Sequence, residues 1–273
     1  MHPDFDTFDM RGRQLRYVCR GRGTPAVIIE QGGGLCIEES FKLPRAAGWR
    51  KVFEQIARTR QTLMHDRAGL GWSYEPSKPR SCSQLVKELR ALLRYAEVAP
   101  PYVLVGHSIG GFNVRLFASQ YPQEVAGVVL VDSSHPDQWT RFGRLIPRPT
   151  TGEATALQRL RSKPDPNLTP ERIDYVTSAD EVRTSGSLGD IPLVVLSRSP
   201  DALRPPGLPA DIAGQIERVW TQLQRDLLNL STRSEQIVAT HAGHNIQLDE
   251  PQLVIATILR LLREIDSPSP PLH

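Results

Sequence analysis

Residues 102–113 read Tyr-Val-Leu-Val-Gly-His-Ser-Ile-Gly-Gly-Phe-Asn. The opening run is apolar, as in a strand covered on both faces. It stops at Gly106-His107-Ser108-Ile109-Gly110, which fits G-x-S-x-G, and helical spacing follows over Gly111–Gln120. A strand that turns directly into a helix strains the residue between them. Small flanking residues avoid clashes there, and the helix N-terminus lends N–H groups and a positive field. The pentapeptide alone also fits a plain glycine turn. The strand before it and the helix after it favour Ser108 as a nucleophile.

A serine hydroxyl is a weak nucleophile near neutral pH and needs a base. Of the seven histidines, His2 and His273 are terminal, His107 adjoins Ser108, His65 ends an early apolar run, and His135 opens a strand-poor segment. His241 and His244 remain, in Thr-His-Ala-Gly-His-Asn-Ile-Gln-Leu-Asp-Glu-Pro at 240–251. His244 is favoured because Gly243 permits a tight loop, whereas His241 fits a polar loop residue. The base in turn needs a carboxylate to fix its tautomer. Asp132 directly follows the run Val125–Val131, and Asp201 lies a few residues beyond Ile191–Leu196 in a proline-rich loop. Asp132 is preferred because it abuts its strand, with Asp201 as the alternative acid. A helix or turn cap is the competing reading of Asp132.

A developing oxyanion needs donors. Gly32-Gly33-Gly34 follows the β-branched run Ala26–Glu30, and glycines let backbone N–H groups approach a substrate closely. Gly33 is the first candidate and Gly34 the second, with the N–H of Ile109 as the other donor.

Across the 273 residues, strand-like runs at Leu15–Cys19, Ala26–Glu30, Gln61–His65, Tyr102–Val105, Val125–Val131, Ile191–Leu196 and Gln236–Ala239 alternate with helical patterns. Those patterns fall at Trp49–Arg58, Ser83–Glu97 and Gly111–Gln120. The alternation predicts an α/β protein with a mostly parallel central sheet flanked by helices. Residues 135–190 hold no convincing strand, only short helical patterns at Thr151–Arg161 and Thr169–Asp180. That length is too great for a structureless loop. It predicts a small helical cap at 135–190 between core segments 1–134 and 191–266, with 267–273 a disordered tail.

The net charge of +3 is spread over scattered basic residues, and no aromatic-interleaved basic stripe argues for nucleic acid. No apolar window approaches the roughly 18 residues of a membrane span. The acidic start Met-His-Pro-Asp-Phe-Asp lacks the apolar core of a secretory signal, so a cytoplasmic protein is expected. Three widely spaced cysteines argue against a disulfide framework, and neither metal-ligand spacing nor a phosphate-binding fingerprint is present. No cofactor or metal is expected, and the protein is expected to be a monomer or homodimer.

On Gln-Gly-Gly-Gly at 31–34, Asp-Arg-Ala-Gly-Leu-Gly-Trp-Ser at 66–73, Gly-His-Ser-Ile-Gly-Gly at 106–111, Val-Asp-Ser-Ser-His-Pro at 131–136 and Gly-His-Asn-Ile-Gln-Leu-Asp-Glu-Pro at 243–251, the chain resembles the α/β-hydrolase superfamily. It is most similar to the small esterase-like serine hydrolases with a helical cap. The resemblance implies the α/β-hydrolase fold, the order nucleophile, acid, histidine, and a structural role for Asp66-Arg67 after their strand. Two departures stand out. Gln31-Gly32 replaces the commoner His-Gly of the oxyanion loop. Asp132 places the acid one strand earlier than usual, as in dehalogenase-like relatives. Dehalogenases and epoxide hydrolases use an aspartate nucleophile, and Ser108 argues against both chemistries.

The expected activity is hydrolysis of a small or medium carboxylic ester through an acyl-enzyme on Ser108. Trp139, Phe142 and Leu145 of the cap are candidate pocket walls, and cap packing explains them equally well. The alternative keeps the triad for C–C bond, lactone or amide hydrolysis or perhydrolysis. A ligand-binding pseudo-hydrolase is the least favoured reading.

Overall fold

A computed structural model describes residues 5–42, 48–146, 163–200 and 209–267. Eight strands form one sheet: β1 (Asp6–Asp9), β2 (Gln14–Arg20), β3 (Ala26–Glu30), β4 (Thr62–His65), β5 (Tyr102–His107), β6 (Val125–Val131), β7 (Leu193–Ser197) and β8 (Ser234–Val238). Their order across the sheet is β1-β2-β4-β3-β5-β6-β7-β8. β1 and β2 run antiparallel to their neighbours, and every pairing from β4 to β8 is parallel. The mostly parallel α/β architecture is therefore as the sequence predicts.

Helices cover both faces. Among the described residues they are α1 (Ile37–Lys42), α2 (Trp49–Ile56), α3 (Cys82–Tyr95), α4 (Gly110–Gln120), α5 (Gln138–Leu145), α6 (Tyr175–Thr184), α7 (Ala210–Asp226), α8 (Ile246–Asp249) and α9 (Pro251–Asp266). Successive strand residues point to opposite faces, so each central strand feeds two cores. Val103 and Val105 of β5 join Trp49, Val52, Phe53 and Ile56 of α2 on one side. Leu104 joins Leu85, Leu89, Leu92 and Leu93 of α3 on the other. Trp49 and Phe53 are fully buried. Side chains of that size contribute roughly 1.5–3 kcal/mol each, so the two faces lock the sheet. The start of α3 is fixed by a capping box, with Ser81 and Gln84 bonding each other's backbone.

Several boundaries differ from expectation. β1 is an unforeseen edge strand held by its pairing to β2. The helical pattern expected at Thr169–Asp180 begins instead at Tyr175. Ile173 bridges to Arg80 in extended backbone, and the Asp174 carboxylate then accepts the Val176 and Thr177 amides. The long helix α7 was not anticipated. Ile173, Ala179, Val182 and Leu188, all within 135–190, join the core under α3 and α4, so this part of the expected cap is built into the body. The pattern at Thr151–Arg161 lies outside the described residues, as do 268–273 of the expected tail.

Candidate active site

The strand ends of β5 and β6 lie side by side at one edge of the sheet. Ser108 follows β5 with φ 52°, a left-handed conformation that a non-glycine residue adopts at a cost. Neighbouring backbone holds it there: its N–H donates to the Val131 carbonyl at 3.2 Å, and its carbonyl accepts the Ser134 N–H at 3.0 Å. The turn leaves no room beside it. A Cβ on Gly106 would stand 2.7 Å from the Gly110 carbonyl oxygen, and one on Gly110 would stand 2.3 Å from the Glu30 carbonyl oxygen. The sequence uses glycine at both positions because only glycine fits.

Asp132, immediately after β6, is also left-handed, with φ 37°, and its carboxylate is fully buried. His244 Nδ1 donates to Asp132 Oδ2 at 2.6 Å. Trp220 Nε1 donates to Oδ1 at 2.8 Å, and Arg198 Nη1 to Oδ2 at 2.9 Å. Burial pushes the Asp132 carboxyl up, but the hydrogen bond from His244, the Arg198 charge and the Trp220 N–H together outweigh it and hold the group at about 2. The His244 side chain is 42% exposed, so its far side faces solvent while Nδ1 is tied to a buried acid.

His107 supports that arrangement from beneath. Its Nε2 donates to the His244 carbonyl at 2.9 Å, and the two rings lie 4.7 Å apart. Burial, aided by the nearby His244, pushes His107 down to about 3, so it remains neutral. His241 belongs elsewhere: its N–H donates to Glu250 and its ring meets the Thr240 hydroxyl in an exposed loop. Asp201, the alternative acid, lies outside the described residues.

The glycine loop after β3 runs along Ser108. A Cβ on Gly32 would stand 3.5 Å from Ser108 Cβ, and one on Gly33 would stand 3.6 Å from Ile109 Cγ2. Arg67 sets the direction of its peptides. Nη1 donates to the Gln31 carbonyl and Nη2 to the Gly32 carbonyl, each at 2.8 Å. In a trans peptide the N–H points opposite the preceding C=O, so the Gly33 N–H is aimed away from Arg67. Glu171 completes the clamp, accepting Arg67 Nε at 2.7 Å and the Gly34 N–H at 2.6 Å. Gly34, the second candidate donor, thus has its amide engaged already. The Gln31 side chain turns toward α1, where it accepts the Ser40 hydroxyl at 2.9 Å, and takes no part in the loop.

The three expected pocket walls divide. Trp139 meets the Tyr175 ring edge-on at 5.5 Å. Phe142 stacks on Trp220 at 6.2 Å, and Leu145 packs on the same cluster with Ile212, Ile216 and Leu223. The last two therefore join α5 to α7. Among the described residues there is no group of three or more side chains able to hold a metal, and no helix is long and apolar enough to cross a membrane.

The alpha/beta hydrolase fold family matches residues 25–180, more than half of the sequence. The chain belongs to that family. This hydrolase is 29% identical over 236 residues to the uncharacterized protein YqjL of Bacillus subtilis (strain 168), covering 86% of this chain and 82% of that one. It is 25% identical to an AB hydrolase superfamily protein of Gibberella zeae, covering 89% of each. Its fold is similar to that of a thermophilic esterase from Thermogutta terrifontis, with a TM-score of 0.62 at 18% identity, over 97% of this chain and all of the other.

Four residues at the candidate site escape the sequence. Arg198, Trp220, Glu171 and Tyr175 arrive from just after β7, from α7 and from the stretch before and at the start of α6, distant in sequence from the motifs they touch. Only Arg198 carries a local signal, standing directly after β7 where the superfamily more often places its acid.

Proposed function

We propose that this hydrolase cleaves carboxylic esters through an acyl-enzyme on Ser108. The observation that carries the reading is the 2.6 Å hydrogen bond from His244 Nδ1 to the buried Asp132 carboxylate. With the Nδ1 proton held there, Nε2 is left as the acceptor for the Ser108 proton. Ser108 Oγ attacks the ester carbonyl carbon as that proton passes to His244. The carbonyl oxygen takes up negative charge and is held by the Gly33 and Ile109 amides. Collapse breaks the bond to the alcohol, which leaves with the proton from His244. Water, deprotonated by His244, then attacks the acyl carbon, releases the carboxylic acid and returns Oγ to its resting state. Asp132 remains ionised throughout.

The likeness to a thermophilic esterase makes ester bonds the first class to test, and Glu171 and Tyr175, which reach the glycine loop, narrow the space beside it for an acyl group. The test is a fluorophosphonate probe with peptide mapping, beside a chain-length series of p-nitrophenyl esters, a lactone and an anilide. Labelling on Ser108 and ester turnover abolished in Ser108→Ala are expected. Labelling elsewhere, or turnover that survives Ser108→Ala, would overturn the proposal.

A further inference from the structure

We propose that the Tyr175 hydroxyl is a third hydrogen-bond donor to the substrate's carbonyl oxygen, reaching it from above Gly33. The proposal rests on the ester-hydrolase reading and adds a catalytic residue to it. A Cβ built on Gly33 would stand 3.2 Å from the Tyr175 hydroxyl, 3.6 Å from Ile109 Cγ2 and 3.7 Å from Glu171 Oε2. The space over the loop is therefore bounded by Gly33, Ile109, this hydroxyl and a Glu171 oxygen that already accepts the Gly34 N–H. Any side chain at 33 would crowd the tyrosine, so the glycine leaves that space open.

Among the described residues the hydroxyl donates to nothing. The nearest carboxylate, Glu171, has one oxygen committed to Arg67 and the other to the Gly34 amide. Burial and the Glu171 charge push the phenol up to about 12, so it keeps its proton at any assay pH. A protonated, unspent donor beside the glycine loop is the group that a developing oxyanion would recruit.

Its placement is also rigid. Tyr175 opens α6, capped by Asp174 and pinned to α3: the Ser178 hydroxyl accepts the Cys82 N–H at 3.0 Å, and Glu181 accepts the Ser81 hydroxyl at 2.7 Å and the Ser83 N–H at 2.9 Å. Trp139 braces the ring edge-on. A donor held in place before charge develops stabilises the transition state without reorganising.

Tyr175→Phe keeps the ring and removes only the donor. Its kcat on a p-nitrophenyl ester is expected to fall about 100-fold, with KM within about threefold. Affinity for a trifluoromethyl ketone, which forms the tetrahedral adduct, should fall by a matching factor. The melting temperature should stay within a few degrees. Fluorotyrosine in place of Tyr175 keeps both shape and donor and should retain activity, which separates loss of the hydrogen bond from loss of packing. A Tyr175→Phe enzyme with unchanged kcat, or one altered only in KM, overturns the proposal while the hydrolase reading stands. A wild-type protein that neither labels on Ser108 nor turns over esters overturns both.

Discussion

Arg198 Nη1 and Asp132 Oδ2 stand 2.9 Å apart, on the same carboxylate oxygen that receives His244 Nδ1. The candidate triad acid is thus shared between an imidazole and a guanidinium. Arg198 is itself shared: its Nη2 donates to Glu217 at 2.7 Å, and its guanidinium lies over the Trp220 ring. Asp132, Arg198 and Glu217 form a buried chain of alternating charge, and removing the central guanidinium takes a cation away from the buried Asp132 carboxylate.

Replacing Arg198 with methionine should therefore cost stability before it affects chemistry. Breaking a buried pair from one side costs about 3–5 kcal/mol. A drop of that size is expected in urea unfolding, with Arg198→Lys only a partial rescue. A lysine ammonium lacks the planar fork that reaches Asp132 and Glu217 together. Arg198→Met with wild-type stability would show that the chain contributes nothing to the fold.

Asp132→Asn should leave the fold in place and lower kcat by about four orders of magnitude, because an amide at this position favours the wrong imidazole tautomer. Asp201→Asn should stay within a few-fold of wild type. The reverse pattern would move the acid to residue 201. The pH dependence follows from the depressed Asp132 carboxyl. Its stabilising contribution is present above its ordinary value near 3.8 and is lost as pH falls through about 2. Activity lost between pH 7 and 5 should therefore come from groups other than Asp132, and Asp132 should show no protonation in that window by infrared difference spectroscopy.

Asp66 behaves in the opposite sense. Burial pushes it up to about 6, only partly countered by the Ile37 N–H on its Oδ1. Its Oδ2 has no hydrogen-bond partner among the described residues. A carboxyl raised in the folded state contributes stability below its unfolded value, and that contribution is lost as pH rises through about 6. The cost to the wild type at pH 8, relative to pH 4, is roughly 2–3 kcal/mol. Asp66→Asn keeps the acceptor for Ile37 and removes the charge. It should flatten this slope, raising the urea midpoint at pH 8 and leaving it nearly unchanged at pH 4.

Gly110→Ala should fail for a steric reason alone. Its Cβ would lie 2.3 Å from the Glu30 carbonyl oxygen and 2.7 Å from that of Gln31. Both oxygens belong to backbone at the end of β3, which is paired to β5 and cannot retreat. A loss of at least about 2 kcal/mol is expected by calorimetry, together with lost activity as the loop shifts off Ser108.

Much of this was legible because the informative signals are local. Strands covered on both faces read as continuous apolar runs, and the turn after β5 needs its glycines within a few residues of Ser108. Asp132 and His244 stand out as candidates because each directly follows a strand or a glycine. The remainder depends on partners distant in sequence. β1 is a polar tetrapeptide that becomes a strand only through β2. Ile212, Ile216, Trp220 and Leu223 carry a helical period, yet nothing nearby says that the helix brings an indole to Asp132. The start of α6 is decided by a bridge to Arg80 across the fold. Glu171 and Tyr175 look like ordinary insertion residues until the glycine loop is beneath them.

The left-handed backbone at Ser108 sets robustness against purpose. Glycine at 108 would relax a conformation that strains a side-chain-bearing residue by about 1–2 kcal/mol. Asp132 is left-handed too, but glycine there would take the carboxylate from the buried Arg198, a larger loss than the strain it relieves. A laboratory lineage selected for thermal endurance alone should drift toward glycine at 108 and keep Asp132. One also required to turn over an ester should retain the strain at 108.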